Sequence, residues 1–429
     1  MRRFSVLAFV LACCCACQGE LPDGYVAQVT PAARPVAGSD WPRWLGPKIN
    51  GVSEETAWSA DWPEGGPKKA WEASIGTGFS AVSVADGRAY TMGHTGGDAD
   101  TGEGGDDTVW CFDAATGKQL WKHTYPCKLV ANLYDGGPSS TPTVDGGKVY
   151  TLSKQGHLFC FDAKKGDILW KDELESRIKV EMPAWGFASS ALILGDKLIL
   201  EAGRLVAFDK NTGNLLWQTD EFPPGYGSPI AWKPAGEQLV ATLNNACLLL
   251  VRAEDGKIVD RQPWQTNFAT SAATPVVLGE TLFISTGYTQ GCALFRMTEG
   301  KLELVYDNKD MRNHFNHPIL WQGTLYGVDG QAHTPRNCSL VAMDYANGEV
   351  KWKERGVLGC GSLMIADGKI IALSDEGELM IASASPAGFK PTSKAKVLSG
   401  RCWTMPVLAQ GRIYCRNAAG DLVCLDVRK

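Results

Sequence analysis

After residue 17 the 429-residue chain has no adjacent cysteines, no CxxC and no CxxCH. Zinc knuckles, c-type haem attachment and thioredoxin-like exchange all require such spacings, so these chemistries are set aside. No apolar run of roughly 18 residues follows the N-terminus, which excludes a polytopic membrane protein. Basic charge is not in excess, with 42 Lys+Arg against 47 Asp+Glu and a formal charge of −5. Phosphate backbones need concentrated positive charge, so nucleic acid is not expected as a partner. GxSxG, HExxH, Walker and Rossmann patterns are missing from any suitable context. What the chain does have is glycine and tryptophan, 48 and 15 of them, in a composition that is 44% hydrophobic and 21% charged. That is the balance of a folded globular protein.

The first residues form an address. Arg2 and Arg3 precede the apolar stretch 5–12, and Cys13, Cys14, Cys15 and Cys17 follow. A short basic-then-apolar segment of this kind is a secretory signal, here assigned to residues 1–17. The stretch ending Val10-Leu11-Ala12-Cys13 resembles a bacterial lipobox. Cys13, or less favourably Cys17, would then carry a lipid anchor; plain cleavage and secretion is the alternative. Residues 18–40 are polar with Pro and Gly and are expected to be a flexible tether. Export permits disulfides among the ten later cysteines, although sequence does not reveal a pairing.

The strongest internal signal is a repeated phrase. It reads CFDAATGKQLW at 111–121, CFDAKKGDILW at 160–170, AFDKNTGNLLW at 207–217 and AMDYANGEVKW at 342–352, with degenerate copies at 250–260 and 294–304. Asp, Gly and Trp recur at fixed offsets, and the flanks alternate with β-branched and aromatic residues. Each phrase therefore predicts a hairpin, with Gly supplying positive φ at the turn. A second set of turn glycines (Gly87, Gly146, Gly195, Gly236, Gly279, Gly323, Gly368 and Gly411) recurs every roughly 40–60 residues. A third turn, as at Gly156, Gly203, Gly377 and Gly420, joins the middle strands. Three hairpins per unit make four antiparallel strands, and eight units predict an all-β, eight-bladed propeller.

The eighth unit stops after three strands. Residues 67–74, just ahead of the first unit, have the pattern of the missing fourth strand. The N-terminal strand is thus expected to complete the last blade, over a propeller domain at 68–429, with 41–67 as an irregular arm packed on the ring. Closure removes the exposed sheet edge. Trp71, Trp121, Trp170, Trp217 and Trp352 occupy equivalent outer-strand positions and are read as structural groups docking between blades.

At this point the chain resembles the pyrroloquinoline-quinone (PQQ) repeat propellers, whose tryptophan-docking motif matches the phrase across nearly the whole mature chain. The start Trp41-Pro42-Arg43-Trp44-Leu45-Gly46-Pro47 is similar to that of many exported PQQ-like propellers. The resemblance implies the fold. It leaves two functions open, since the superfamily holds both eight-bladed quinoprotein alcohol dehydrogenases and cofactor-free lipoprotein propellers of outer-membrane barrel assembly. A dehydrogenase needs Ca²⁺ beside the quinone and a carboxylate base. Many also use adjacent cysteines, which are absent here after the signal.

The loops entering the inner strands are expected to rim a central channel. Candidate ligand- or partner-binding residues there are Asp135, Trp185, Tyr226, Arg312, Asn313, His314, Asn316, His317 and Trp403. His314 and His317 diverge at i and i+3 in a strand or loop, so neither a metal site nor an acid–base pair is assigned to them. The acidic glycine-rich insertion at 94–107 is read as a solvated loop, since its spacing does not match an EF-hand. No catalytic residue, metal or cofactor is assigned. The expected function is an exported, monomeric, non-catalytic binding or scaffolding propeller, periplasmic or anchored to the outer membrane, engaging an envelope protein or extended peptide. A PQQ- and Ca²⁺-dependent alcohol or sugar dehydrogenase is the alternative.

Overall fold

The structure, a computed structural model, describes residues 38–98, 101 and 103–429. The signal segment with Cys13 and Cys17, and nearly all of the tether, lie outside the described residues. Among the described residues, no helix is long and apolar enough to cross a membrane.

Eight sheets stand around a central axis, each with four antiparallel strands as the repeat predicts; these are consecutive in all but blade 8. Blade 1, for example, runs Ser83–Ala85, Arg88–Thr95, Asp106–Asp113 and Gln119–Pro126 from the axis outward. Blade 8 takes three strands from the C-terminus and its outermost strand, Lys68–Ser74, from the N-terminal side. Trp71 is in register with Cys424, and Ser74 with Asp421. The closing strand joins the two ends of the ring and brings blade 8 to four strands like the others.

The repeated phrase folds as a turn with a fixed hydrogen-bond pattern. Asp113 Oδ1 accepts the backbone N–H groups of Ala115 (3.1 Å) and Thr116 (2.9 Å). Asp162 and Asp209 repeat this with the N–H groups two and three residues on. The glycine four residues later sits at positive φ, +70° at Gly117 and +77° at Gly166. The absent Cβ also makes room for a neighbour. A Cβ on Gly117 would lie 2.6 Å from the Trp71 ring, and one on Gly166 equally close to Trp121. Each tryptophan therefore reaches from its own blade over the turn of the next. Its indole N–H closes the contact: Trp71 to Ala114 O (3.1 Å), Trp121 to Ala163 O (3.0 Å), Trp170 to Lys210 O (3.0 Å), Trp217 to Ala253 O (3.2 Å) and Trp352 to Ser385 O (2.8 Å). At the degenerate blade 5, Tyr306 substitutes, its hydroxyl donating to Tyr345 O at 3.0 Å while its ring lies over Gly348.

The arm is held along the ring by specific contacts. Trp41 pairs with Val84 of blade 1, Pro42 accepts from Val144 of blade 2, and Trp44 donates to the Thr274 hydroxyl ahead of blade 5 at 3.1 Å. Gly51 packs on Ile319 of blade 6, and Val52–Ser53 adds a fifth, parallel strand to the inner edge of blade 7. The Glu55 carboxylate then accepts from Ser39 N (2.8 Å) and Gly411 N (2.9 Å), tying the arm to blade 8. The arm thus crosses the ring on the face that carries the first hairpin turn of each blade. Trp41 and Leu45 are fully buried in this crossing.

Candidate functional site

Inner strands start with Ser and Thr because the blades are stitched there side by side. Thr141 N donates to Ser190 Oγ and Ser190 N to Ser228 Oγ, both at 2.9 Å, while Ser362 Oγ donates to Trp403 O at 2.9 Å. These hydroxyls bond neighbouring blades and hold the inner wall at fixed spacing. Inside the wall lies a cavity of about 380 Å³. Every blade contributes: Phe79, Ser139, Ser190 and Ser228 from the first four, Ala272, Phe315, Ser362 and Met405 from the rest. Trp44 of the arm lines it too, so the channel is a cup with a floor.

Aromatic rings dominate the wall. Trp403 stacks on Phe79 with centroids 5.5 Å apart and lies 4.6 Å from Phe315. Trp185 meets Tyr226 edge-on at 5.6 Å, and its indole N–H donates to Asn132 O at 3.0 Å. Two cations reach this wall. Lys154 is buried, donating to the Tyr134 hydroxyl and, at 2.7 Å, to Trp185 O, with no carboxylate partner among the described residues. The Arg401 guanidinium lies 4.5 Å over Trp403 and forms an ion pair with Asp135. Among the described residues, no Asp or Glu lines the cavity.

Of the nine residues singled out from sequence, Trp185, Tyr226, His314 and Trp403 line the cup. Asp135 sits beside the lip, half-exposed, held by Arg401. The other four belong to the scaffold. Arg312 forms a bidentate pair with the buried Asp329, at 2.6 and 3.0 Å. Asn313 donates to Val328 O, and Asn316 donates to the carbonyls of Cys360 and Gly361. His317 is buried, and desolvation pushes its pKa down to about 3. His314 accepts from Ala332 N through Nδ1, and burial, then His333, lowers its pKa to about 4. Both imidazoles are therefore neutral at physiological pH.

In the insertion at 94–107, Asp107 is buried against His94 Nδ1 at 2.8 Å and Glu103 pairs with Lys128 at 2.7 Å. Among the described residues no group of three or more His, Cys, Asp or Glu is arranged to hold a metal.

Sequence reasoning missed the floor, the buried Lys154 and the cup's mouth. At the mouth Leu133 is 94% exposed and Phe268 69% exposed. Both stand at positive φ, +64° and +69°, as does Tyr288 at +58° beside Phe268. Bulky residues in the left-handed region carry strain of about 1–3 kcal/mol each, and such strain clusters at functional sites. No pattern in a single sequence marks a non-glycine residue for that conformation.

The family model described as outer membrane protein assembly factor BamB matches residues 48–220 and again 105–354. The chain belongs to that family. Among curated protein sequences none matches it. BamB from Moraxella catarrhalis superposes with a TM-score of 0.61 at 17% identity, covering 84% of this chain and 99% of that one. The quinohemoprotein alcohol dehydrogenase from Comamonas testosteroni gives 0.66 at 13% identity, covering 92% and 81%. A europium-containing methanol dehydrogenase gives 0.54 at 12% identity, covering 88% and 89%. At these identities the structural likeness concerns the fold, which the BamB and dehydrogenase structures share. Calcium beside a quinone is held by oxygen ligands that include carboxylates. Among the described residues the cup wall supplies no carboxylate and carries two cations, so this donor set does not fit that pair.

Proposed function

We propose that this protein is an exported, monomeric, non-catalytic binding propeller of the cell envelope, and that it captures an extended segment of a partner protein at the mouth of the floored cup. The observation that carries this reading is the mouth itself. Leu133, which lines the aromatic cavity, and Phe268, packed on the lining residue Tyr288, hold apolar side chains out in solvent on strained backbone. Exposed large apolar groups around a concave aromatic site are what a docking surface needs, since aromatic anchors dominate interface energetics. The hydroxyls of Ser190, Ser228 and Ser362 already bond neighbouring blades and His314 is neutral, so the cup offers mainly shape and apolar area, with Lys154 as a charge that has no carboxylate partner among the described residues. Family membership supports an envelope setting. The cup takes one or two side chains of the partner, not a whole domain, because about 380 Å³ is the size of a small-ligand pocket. No cofactor is part of the proposal.

Calorimetric titration of the full chain with PQQ in excess Ca²⁺, with dye-linked alcohol oxidation in parallel, separates this reading from a dehydrogenase. The expected result is no binding at high micromolar cofactor and no turnover. Tight, calcium-dependent binding with turnover overturns it.

A further inference from the structure

We propose that Cys338 and Cys360 form a disulfide that staples blade 6 to blade 7 beside the cup. Cys338 immediately precedes the third strand of blade 6, Ser339–Asp344, and Cys360 lies in the connection entering the inner strand of blade 7, Ser362–Ala366. Their sulfurs are 2.9 Å apart and both residues are buried. That is well inside ordinary contact, about 3.5–4.0 Å for carbon and longer for sulfur. Closing from 2.9 Å to the ~2.0 Å of an S–S bond takes a movement of under about 1 Å. No other two cysteines among the described residues make such a sulfur–sulfur contact.

The surroundings hold both sulfurs in place. Gly330 leaves room for Cys338, since a Cβ there would come within 2.5 Å of its sulfur. The Cys360 turn is gripped from blade 6 by the Asn316 amide, which donates to Cys360 O (3.2 Å) and Gly361 O (2.7 Å). Cys360 N in turn donates to Asp375 Oδ2 at 3.1 Å. The two thiols are also unequal. A hydrogen bond from Cys360 holds the Cys338 thiol below its ordinary pKa, and the same contact with burial raises Cys360. Cys338 is the natural first nucleophile, because the thiolate is the reacting form. Its sulfur lies directly beneath the surface segment 331–337, contacting Gln331 O at 3.5 Å and Thr334 O at 3.9 Å, so a local opening of that loop exposes it.

The oxidant is a disulfide. The Cys338 thiolate attacks one sulfur of RSSR, forming a Cys338–SR mixed disulfide and releasing RS⁻. Cys360 loses its proton and attacks the Cys338 sulfur, releasing the second RS⁻. Two protein thiols are oxidised, RSSR is reduced to two RSH, and the two thiol protons end on them. An exported protein meets such oxidants, which rests on the export reading above, whereas the pairing does not. The bond would fix the segment carrying Ala332 and His333, which form part of the cup wall.

The test exposes the native full chain to oxidised glutathione, blocks remaining thiols with an alkylating agent under denaturing conditions, and maps tryptic peptides. Cleavage places Cys338 alone in 337–351 and Cys360 alone in 356–369. The expected product is these two peptides joined, lighter by about 2 Da than their sum and separated by reduction. The oxidised chain should also melt about 4 °C above the reduced chain, a difference absent from the C338S/C360S double variant. Recovery of both peptides as alkylated or separately glutathionylated species overturns the proposal. So does linkage of either peptide to another cysteine, or a joined product that forms only when oxidant is added to unfolded protein.

Discussion

Alanine at Gly117 tests how the ring is closed. Gly117 and Gly87 both lie in blade 1 turns with nearly equal backbone conformations, φ +70° and +71°. Their surroundings differ: a Cβ on Gly87 meets nothing within 4 Å, whereas one on Gly117 lands 2.6 Å from the Trp71 ring. Gly87→Ala therefore carries only the backbone term. A left-handed non-glycine residue costs about 1–2 kcal/mol, offset by about 0.4–1 kcal/mol from the stiffer unfolded chain. Gly117→Ala carries the same term plus about 1–3 kcal/mol of overpacking, so about 2–4 kcal/mol in total. Trp71 is 7% exposed, packs on Phe112 and Tyr414 with centroids 5.8 and 5.9 Å away, and donates to Ala114 O. Trp71→Ala alone should cost about 3–5 kcal/mol. In that background the ring contacts are gone and only the Cβ of residue 71, at 2.9 Å, still crowds the site, so adding Gly117→Ala should cost about 1–2 kcal/mol. Urea unfolding followed by circular dichroism on the four chains gives a coupling of about 1–3 kcal/mol. Equal losses for Gly87→Ala and Gly117→Ala, or strict additivity with Trp71→Ala, would refute the docking argument at the closing blade.

Three further outcomes are expected. Leu133→Gly should raise stability by about 0.5–1 kcal/mol, because a side chain 94% exposed at φ +64° contributes strain and little burial; a lower Tm would contradict this. Glu201 is fully buried, and desolvation pushes its carboxyl up to about 8, against the opposing pull of the Gly225 and Gly203 N–H groups. Its contribution to stability is complete below its ordinary pKa of about 4.5 and is lost as pH rises through 8. Wild type should therefore lose stability between pH 5 and 8, at no more than about 1.4 kcal/mol per pH unit from this group, and Glu201→Gln should flatten the slope in urea titrations. His314 and His317, lowered to about 4 and about 3, should give no titration in NMR between pH 5 and 8; a titration of either one near 6.5 would show that its surroundings are wetter than their geometry implies.

The ring was legible because each blade repeats the same local physics. Asp caps the turn, Gly turns it, and Trp crosses to the neighbour, so four full copies and two degenerate ones announce the repeat through offsets alone. Blade 5 shows the limit. Leu304 stands at the tryptophan's offset in the sequence, yet Tyr306, two residues on, makes the contact. The cup was legible only in outline. The polar run 312–317 marked the right region, but it is an irregular loop between strands, so no period fixes where its members point. Arg312 goes to Asp329, Asn316 to the Cys360 turn, and His314 to the cavity. The floor depends on a contact between Trp44 and Thr274, 230 positions apart, which no repeat encodes. Lys154 follows a strand in a Ser-Lys-Gln-Gly turn, where a lysine ordinarily points to solvent. Its burial follows from the neighbouring loops that bring Tyr134 and Trp185 over it.

Covalent capture at the mouth of the cup tests the central claim most directly. A photoreactive phenylalanine analogue is placed at position 133 or 268 of the full chain, or at exposed Asp86 on the floored face, and cells are irradiated before the adducts are weighed. The account predicts one adduct of a single protein mass from both mouth positions and none from position 86. Trp185→Ala, which removes one wall of the cup, should reduce it at least several-fold. No adduct at 133 and 268, or the same adducts at all three positions, would contradict the claim that the mouth of the cup is where this propeller binds.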